Sequence, residues 1–190
     1  MADASSSRLQ AALARFDAEN ARDPHGKELP YARHMTEWLS RLYPAAPEPL
    51  RLAARCQHIR RWEVPRGTYP MDRQGYLAWR KRMYDFHGDA AAEILQAVGY
   101  DDATISRVRA LLRKERIKLD PDAQALEDVI CLVFLEHHFA AFAREHAGQE
   151  EKVVNIVKRT WAKMSDHGRA AATGLTVAPE AKALIERALR

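Results

Sequence analysis

Apolar residues recur along this chain at three- and four-residue spacing, which gathers them on one face of a helix. The two-residue alternation of a half-buried strand is almost missing, and no Asn-Gly hairpin signal occurs. Leu9, Ala12, Leu13 and Phe16 form the first face, behind Ser7, which is placed to cap a helix over 8–20. Met35, Trp38, Leu39 and Leu42 form the second, over 30–42, with Pro30 in the first turn and Pro44 disfavouring helix at Tyr43. A third helix starts near Glu48 and carries LAARCQHIRRW. Pro65, Gly67 and Pro70 turn 62–72 into a loop; Asp72 then caps a long fourth helix that reaches Val98, with Gly99 as its stop. Asp101 or Asp102 caps a fifth helix built on Ile105, Val108, Leu111 and Leu112. Asp120-Pro121 opens a sixth, whose uninterrupted VICLVFL run marks it as the most buried. A seventh over 149–163 turns Val153, Ile156, Val157 and Trp161 one way, Ser165 restarts a short helix to about Ala172, and Pro179 opens a last one over 180–189.

The pattern therefore predicts an all-α fold of eight or nine helices in one helical domain over 1–190, with its core at about 29–165 and a C-terminal helical appendage at 166–190. Composition agrees, since 47% of residues are hydrophobic, enough for a proper core. The net charge of +4 is mild and excludes a general nucleic-acid coat. Cys56 and Cys131 lie in apolar helical surroundings with no CxxC partner, and read as reduced core thiols of a cytoplasmic protein. The start, MADASSSRLQ, lacks the apolar core of a secretion signal. The longest apolar run, Val129 to Leu135, has seven residues, too few to span a bilayer.

Charge becomes informative locally. Between Arg55 and Arg82 stand eight basic residues against Glu63 and Asp72, with Trp62, Tyr69, Tyr76 and Trp79 interleaved. Such a density of guanidinium points to an anionic partner. Arg61, Arg66 and Arg80, with Arg60 and Arg73 nearby, are the expected anion ligands, and Trp62, Tyr69 or Trp79 the expected stacking wall. The alternative is that these arginines are solvated or pair with Asp85, Asp89, Glu127 and Asp128.

A second constellation is His58, His87 and Asp128, each expected on a helix beside strongly apolar positions. A carboxylate leading into seven apolar residues needs compensation, from an arginine, a hydrogen-bond network or a metal. Two imidazoles and a carboxylate suit a divalent first-row metal such as Mn, Fe, Zn or Ni; the competing reading is a buried Asp–Arg pair with two hydrogen-bonded core-edge histidines. His137, His138 and His146 read as surface. Lys163-Met164-Ser165 is similar to the nucleotide-binding KMSKS loop of class I aminoacyl-tRNA synthetases. The chain lacks the strand–helix alternation that loop requires, so Ser165 reads as a helix cap. No GxGxxG, Walker A, GxSxG or HExxH sequence is present.

The strings LAARCQHIRRWEVPRGTYPMDRQGYLAWRK, ALEDVICLVFLE and KRTWAKMS resemble an uncharacterised family of bacteria and some eukaryotes, whose members are sometimes labelled glutamyl-tRNA synthetase. More distantly, the order of elements resembles the HD superfamily of metal-dependent phosphohydrolases. LAARCQHIRRW stands where that superfamily's His-Asp dyad helix would be, and ALEDVICL where its late Asp would be, pointing to Asp128. His34 stands near the place of the first His. The dyad itself is replaced by Gln57-His58. The resemblance implies a metal held by His58, His87 and Asp128 with His34, and a phosphate-bearing small molecule as substrate or ligand. Arg61, Arg66 and Arg80 would neutralise its charge, and Glu127, adjacent to Asp128, would be the general base. The alternative is a non-catalytic module on an HD-derived scaffold that binds an anion or RNA, which the lost dyad favours. An iron-dependent oxygenase on the same scaffold is a third reading.

Overall fold

Among the described residues every regular element is helical, and no strand occurs. The computed structural model describes residues 2–117 and 119–189, with side chains from Ser6 onward; Met1, Lys118 and Arg190 of the expected 1–190 domain lie outside the described residues. The α-helices are α1 (Ala2–Asn20), α2 (Glu28–Leu42), α3 (Glu48–Arg55), α4 (Arg73–Val98), α5 (Asp102–Leu112), α6 (Pro121–Val133), α7 (Phe139–Glu145), α8 (Glu150–Lys163), α9 (Asp166–Thr173) and α10 (Pro179–Leu189).

Most boundaries follow from local chemistry. The side chain of Asp72 accepts from Gly75 N–H, that of Asp101 from Thr104 N–H, that of Asp120 from Asp122 and Ala123 N–H, and that of Ser165 from Gly168 N–H. Each satisfies a helix-start donor that would otherwise be orphaned. Gly99, at φ +87°, closes α4 in the left-handed conformation that glycine adopts without a Cβ penalty.

Three boundaries depart from the periodic pattern. Helix α1 begins at Ala2, so Ser7 lies inside it and caps nothing. Helix α3 ends at Arg55, and His58 sits in the turn beyond it, not on a helix. That turn closes at Arg60, a non-glycine residue at φ +52°. Its guanidinium is held by Glu19 at 2.8 Å and Glu93 at 3.0 Å, two long-range contacts that offset the local strain. The sixth helix widens into a π turn at Phe134–His138 before α7, and this division raises the count to ten.

The main core joins α1 to α6. Phe16, Met35, Leu39, Leu50, Leu52, Leu95, Leu111, Leu126 and Leu132 are all buried in it, each worth about 1.5–3 kcal/mol of transfer free energy. A smaller cluster of Phe139, Val153, Val154, Val157, Ala181 and Ala188 ties α7, α8 and α10 together. Cys56 and Cys131 are buried free thiols, as expected. Among the described residues no helix is long and apolar enough to cross a membrane.

Candidate functional site

Four helical stripes and three turns surround a cavity of about 650 Å³. Helix α4 supplies Tyr76, Trp79, Arg80, Met83, Tyr84 and His87; α6 with its π turn supplies Glu127, Ile130, Cys131, Phe134 and His138. Helix α8 supplies Ile156, Arg159, Thr160 and Lys163, the start of α2 supplies Glu28 and Tyr31, and the turn after α3 supplies His58 and Arg61. Each helical set repeats at three- and four-residue steps, the spacing of one helix face. Six cations line the space (Lys27, Arg61, Arg80, Lys114, Arg159 and Lys163) against two carboxylates, Glu28 and Glu127.

Two of the cations are held by neutral groups. Arg61 donates from one NH to His58 Nε2 at 3.2 Å and lies over the Trp79 ring, 4.8 Å from its centre. Arg80 donates its Nε–H to the Tyr84 hydroxyl at 2.6 Å. Neither forms an ion pair with a carboxylate among the described residues, whereas Arg55, Arg60, Arg107 and Arg113 all do.

His58 links Arg61 to Glu28. A guanidinium can only donate, so Nε2 of His58 accepts; its proton is then on Nδ1, which faces Glu28 Oε2 at 3.3 Å. Burial, reinforced by the Arg61 charge, holds the His58 imidazole well below its usual range and keeps it neutral. Burial also raises the Glu28 carboxyl to about 7, against a smaller opposing pull from Arg61. Tyr31 fixes the ring, stacking on His58 with centroids 4.0 Å apart.

His87 is 3% exposed. Its Nδ1 lies 2.8 Å from the carbonyl oxygen of Ile59 and must carry the proton to bond it, which leaves Nε2 as an acceptor. Burial lowers its imidazole to about 3, so it stays neutral at ordinary pH. No donor among the described residues reaches Nε2.

Glu127 is buried between two ammonium groups: Lys114 Nζ donates to its Oε2, and Lys163 Nζ stands 3.6 Å from Oε1. Burial pushes its carboxyl up, but Lys114, then Lys163 and Arg80, bring it net below the usual value. This environment weakens it as a base and fits an anchor for the lysines. Lys114 reaches it from a left-handed backbone at φ +58°, a strained conformation for a non-glycine residue.

The remaining expected site residues lie elsewhere. Arg66 does not line the cavity; its guanidinium donates to the carbonyl oxygens of Tyr69 at 3.0 Å and Pro70 at 2.7 Å, tying down its own loop. Asp128 does not join His58 and His87, and among the described residues it pairs with no arginine. It accepts from the Tyr43 hydroxyl at 2.6 Å, Gln124 Nε2 at 3.0 Å, Ser165 N–H at 2.7 Å and the Ser165 hydroxyl. The carboxylate thereby locks α6 to the start of α9. His34 stacks on His137 with centroids 3.7 Å apart. His137 and His138 are both exposed, as expected of surface groups, and His138 also borders the cavity, four residues after Phe134. Among the described residues no group of three or more His, Cys, Asp or Glu side chains is placed to hold a metal ion.

The cations missed in the sequence are Lys27, Lys114, Arg159 and Lys163. For Arg159 and Lys163 a signal existed: they sit four apart on α8, flanking Thr160, with Ile156 one turn earlier. Lys27 and Lys114 stand in turns, where no periodicity marks them.

A family model described as a domain of unknown function, DUF4202, matches residues 10–185. No curated protein and no solved structure matches the chain.

Proposed function

The chain belongs to the DUF4202 family, a domain of unknown function, and on the chemistry of its cavity we propose that it binds a phosphate-bearing small molecule. The observation that carries this reading is the pair Arg61 and Arg80. Both guanidinium groups border the cavity, and both are oriented by neutral rings and hydroxyls instead of carboxylates. Their forked donors match phosphate oxygens, and aromatic walls that displace water strengthen the attraction. Lys114, Lys163 and Arg159 extend the same positive field. The cations line a concavity sized for a small molecule instead of a flat stripe, which favours a small ligand over RNA.

Of the two versions of this reading, the geometry favours the non-catalytic one. A metal-dependent phosphohydrolase of the HD type would need Asp128 beside His58 and His87, and the oxygens of Asp128 are spent on Tyr43, Gln124 and Ser165. Ligand binding raises a melting temperature by mass action, in proportion to the logarithm of ligand over Kd. Thermal melts in low-salt buffer with millimolar phosphate or pyrophosphate should shift upward, and Arg80→Gln should remove most of the shift. A wild-type melt indifferent to both anions overturns the proposal.

A further inference from the structure

Four buried polar atoms among the described residues have no hydrogen-bond partner: Asn20 Oδ1, His34 Nδ1, His87 Nε2 and Arg109 Nε. Of these residues, His87 alone lines the cavity. The other buried polar groups there are engaged within the chain. The Tyr31 hydroxyl donates to Gln57, Thr160 Oγ donates to the carbonyl oxygen of Ile156, and Tyr84 accepts from Arg80. His87 is also fixed as an acceptor, since the Ile59 carbonyl oxygen holds its proton on Nδ1. A buried imidazole nitrogen without a donor costs free energy that an apolar residue at the same place would avoid.

The orphan acceptor lies close to the cations. Arg61 bonds His58, whose ring centre is 5.9 Å from that of His87, so one ring separates the guanidinium from the acceptor. Resting on the phosphate-binding reading, we infer that the ligand donates an O–H or N–H to His87 Nε2 while Arg61 and Arg80 hold its phosphate. The ligand is then a phosphomonoester of a hydroxylated or amino-bearing carbon skeleton. Inorganic phosphate and simple alkyl phosphates fill only half of this site. The cavity volume of about 650 Å³ accommodates a sugar-sized organic part beside the phosphate.

Calorimetry with four probes tests the inference: inorganic phosphate, n-pentyl phosphate, ribose 5-phosphate and 5-aminopentyl phosphate. The wild type should bind at least one of the two donor-bearing esters about tenfold more tightly than n-pentyl phosphate, the effect of one well-made hydrogen bond in a buried site. The better of the two identifies the donor as O–H or N–H. His87→Asn keeps an amide N–H near the Nδ1 position for Ile59 and deletes the acceptor at Nε2. It should bring the ratio close to one, read against the variant's own affinity for n-pentyl phosphate. His87→Gln returns an amide oxygen near the Nε2 position and should recover part of the ratio. If His87→Asn does not fold, the wild-type ratio and the Gln variant decide. Equal wild-type affinity for the three esters, or a preference that survives folded His87→Asn, overturns the inference and leaves phosphate binding standing. Binding of none of the four probes overturns both.

Discussion

Asp128 and Glu28 show how far the setting of a single carboxylate governs its role. Asp128 accepts from three neighbouring side chains and one backbone N–H, and every partner is a donor. Asp128→Asn keeps the shape but turns one acceptor into a donor that faces another donor. It should lower stability by about 2–4 kcal/mol in denaturant unfolding, because hydrogen bonds to a charged group are the stronger kind. A loss under about 0.5 kcal/mol, the level of an ordinary surface change, would contradict a locking role. Glu28 behaves differently, since burial raises its carboxyl from 4.5 to about 7 in the folded protein. The folded chain therefore binds a proton that the unfolded chain releases between these values. The stability this proton brings is fully present below pH 4.5 and is lost as pH rises through 7. His87 has the opposite sign: its neutral form is favoured in the fold, and its contribution is lost as pH falls from 6.5 toward 3. Glu28→Gln removes only the first effect. Its melting temperature should gain on the wild type as pH rises from 5 to 7.5. A difference between the two proteins that does not change with pH would show that Glu28 has no raised pKa.

At the scale of elements, the seam between α6 and α9 depends on a missing side chain. A Cβ on Gly168 would stand 2.7 Å from Asp128 Cγ and 2.8 Å from Oδ1, atoms that cannot move without breaking their own bonds. Gly168→Ala should cost about 1–3 kcal/mol by overpacking, read as a lower denaturation midpoint with the slope unchanged. This seam was half legible in the sequence. Ser165 as a cap depends on neighbours within a few residues, and so do Asp72, Asp101, Asp120 and Gly99, which is why all five were readable. The partner of Asp128 was not readable, because Tyr43 is 85 residues away and its hydroxyl has no periodicity to betray it. The same limit applies to the end of α3. The apolar pattern runs on through Ile59, and only the long-range grip of Glu19 and Glu93 on Arg60 turns the chain there. The π turn at Phe134–His138 is likewise set by packing on both sides of an apolar run that local propensity reads as continuous helix.

For the whole molecule, the all-α class follows from periodicity summed over many turns, whereas the cavity exists only where α2, α4, α6, α8 and three turns meet. His58, His87, Arg61, Arg80 and Glu127 were each expected at a site, and the fold brings them to one wall system; Arg66, Asp128 and His34 fall outside it. The distinction between Arg61 and Arg66 could not be drawn from residue type, since both are arginines of one basic stretch and differ only in what holds them. Because the cavity field is made by cations, binding should weaken as salt rises, and a tenfold increase in sodium chloride should reduce phosphate affinity measurably. The most direct measurement is calorimetric titration of inorganic phosphate into the wild type, Arg61→Gln, Arg80→Gln and Arg66→Ala. Losing one guanidinium that makes a charge-assisted bond should cost about 1.5–3 kcal/mol of binding, so the first two variants should bind roughly ten- to a hundredfold more weakly. Arg66→Ala should match the wild type. A wild type that takes up no heat with phosphate, or an Arg66→Ala loss as large as the Arg61→Gln and Arg80→Gln losses, would contradict the assignment of this cavity as the anion site.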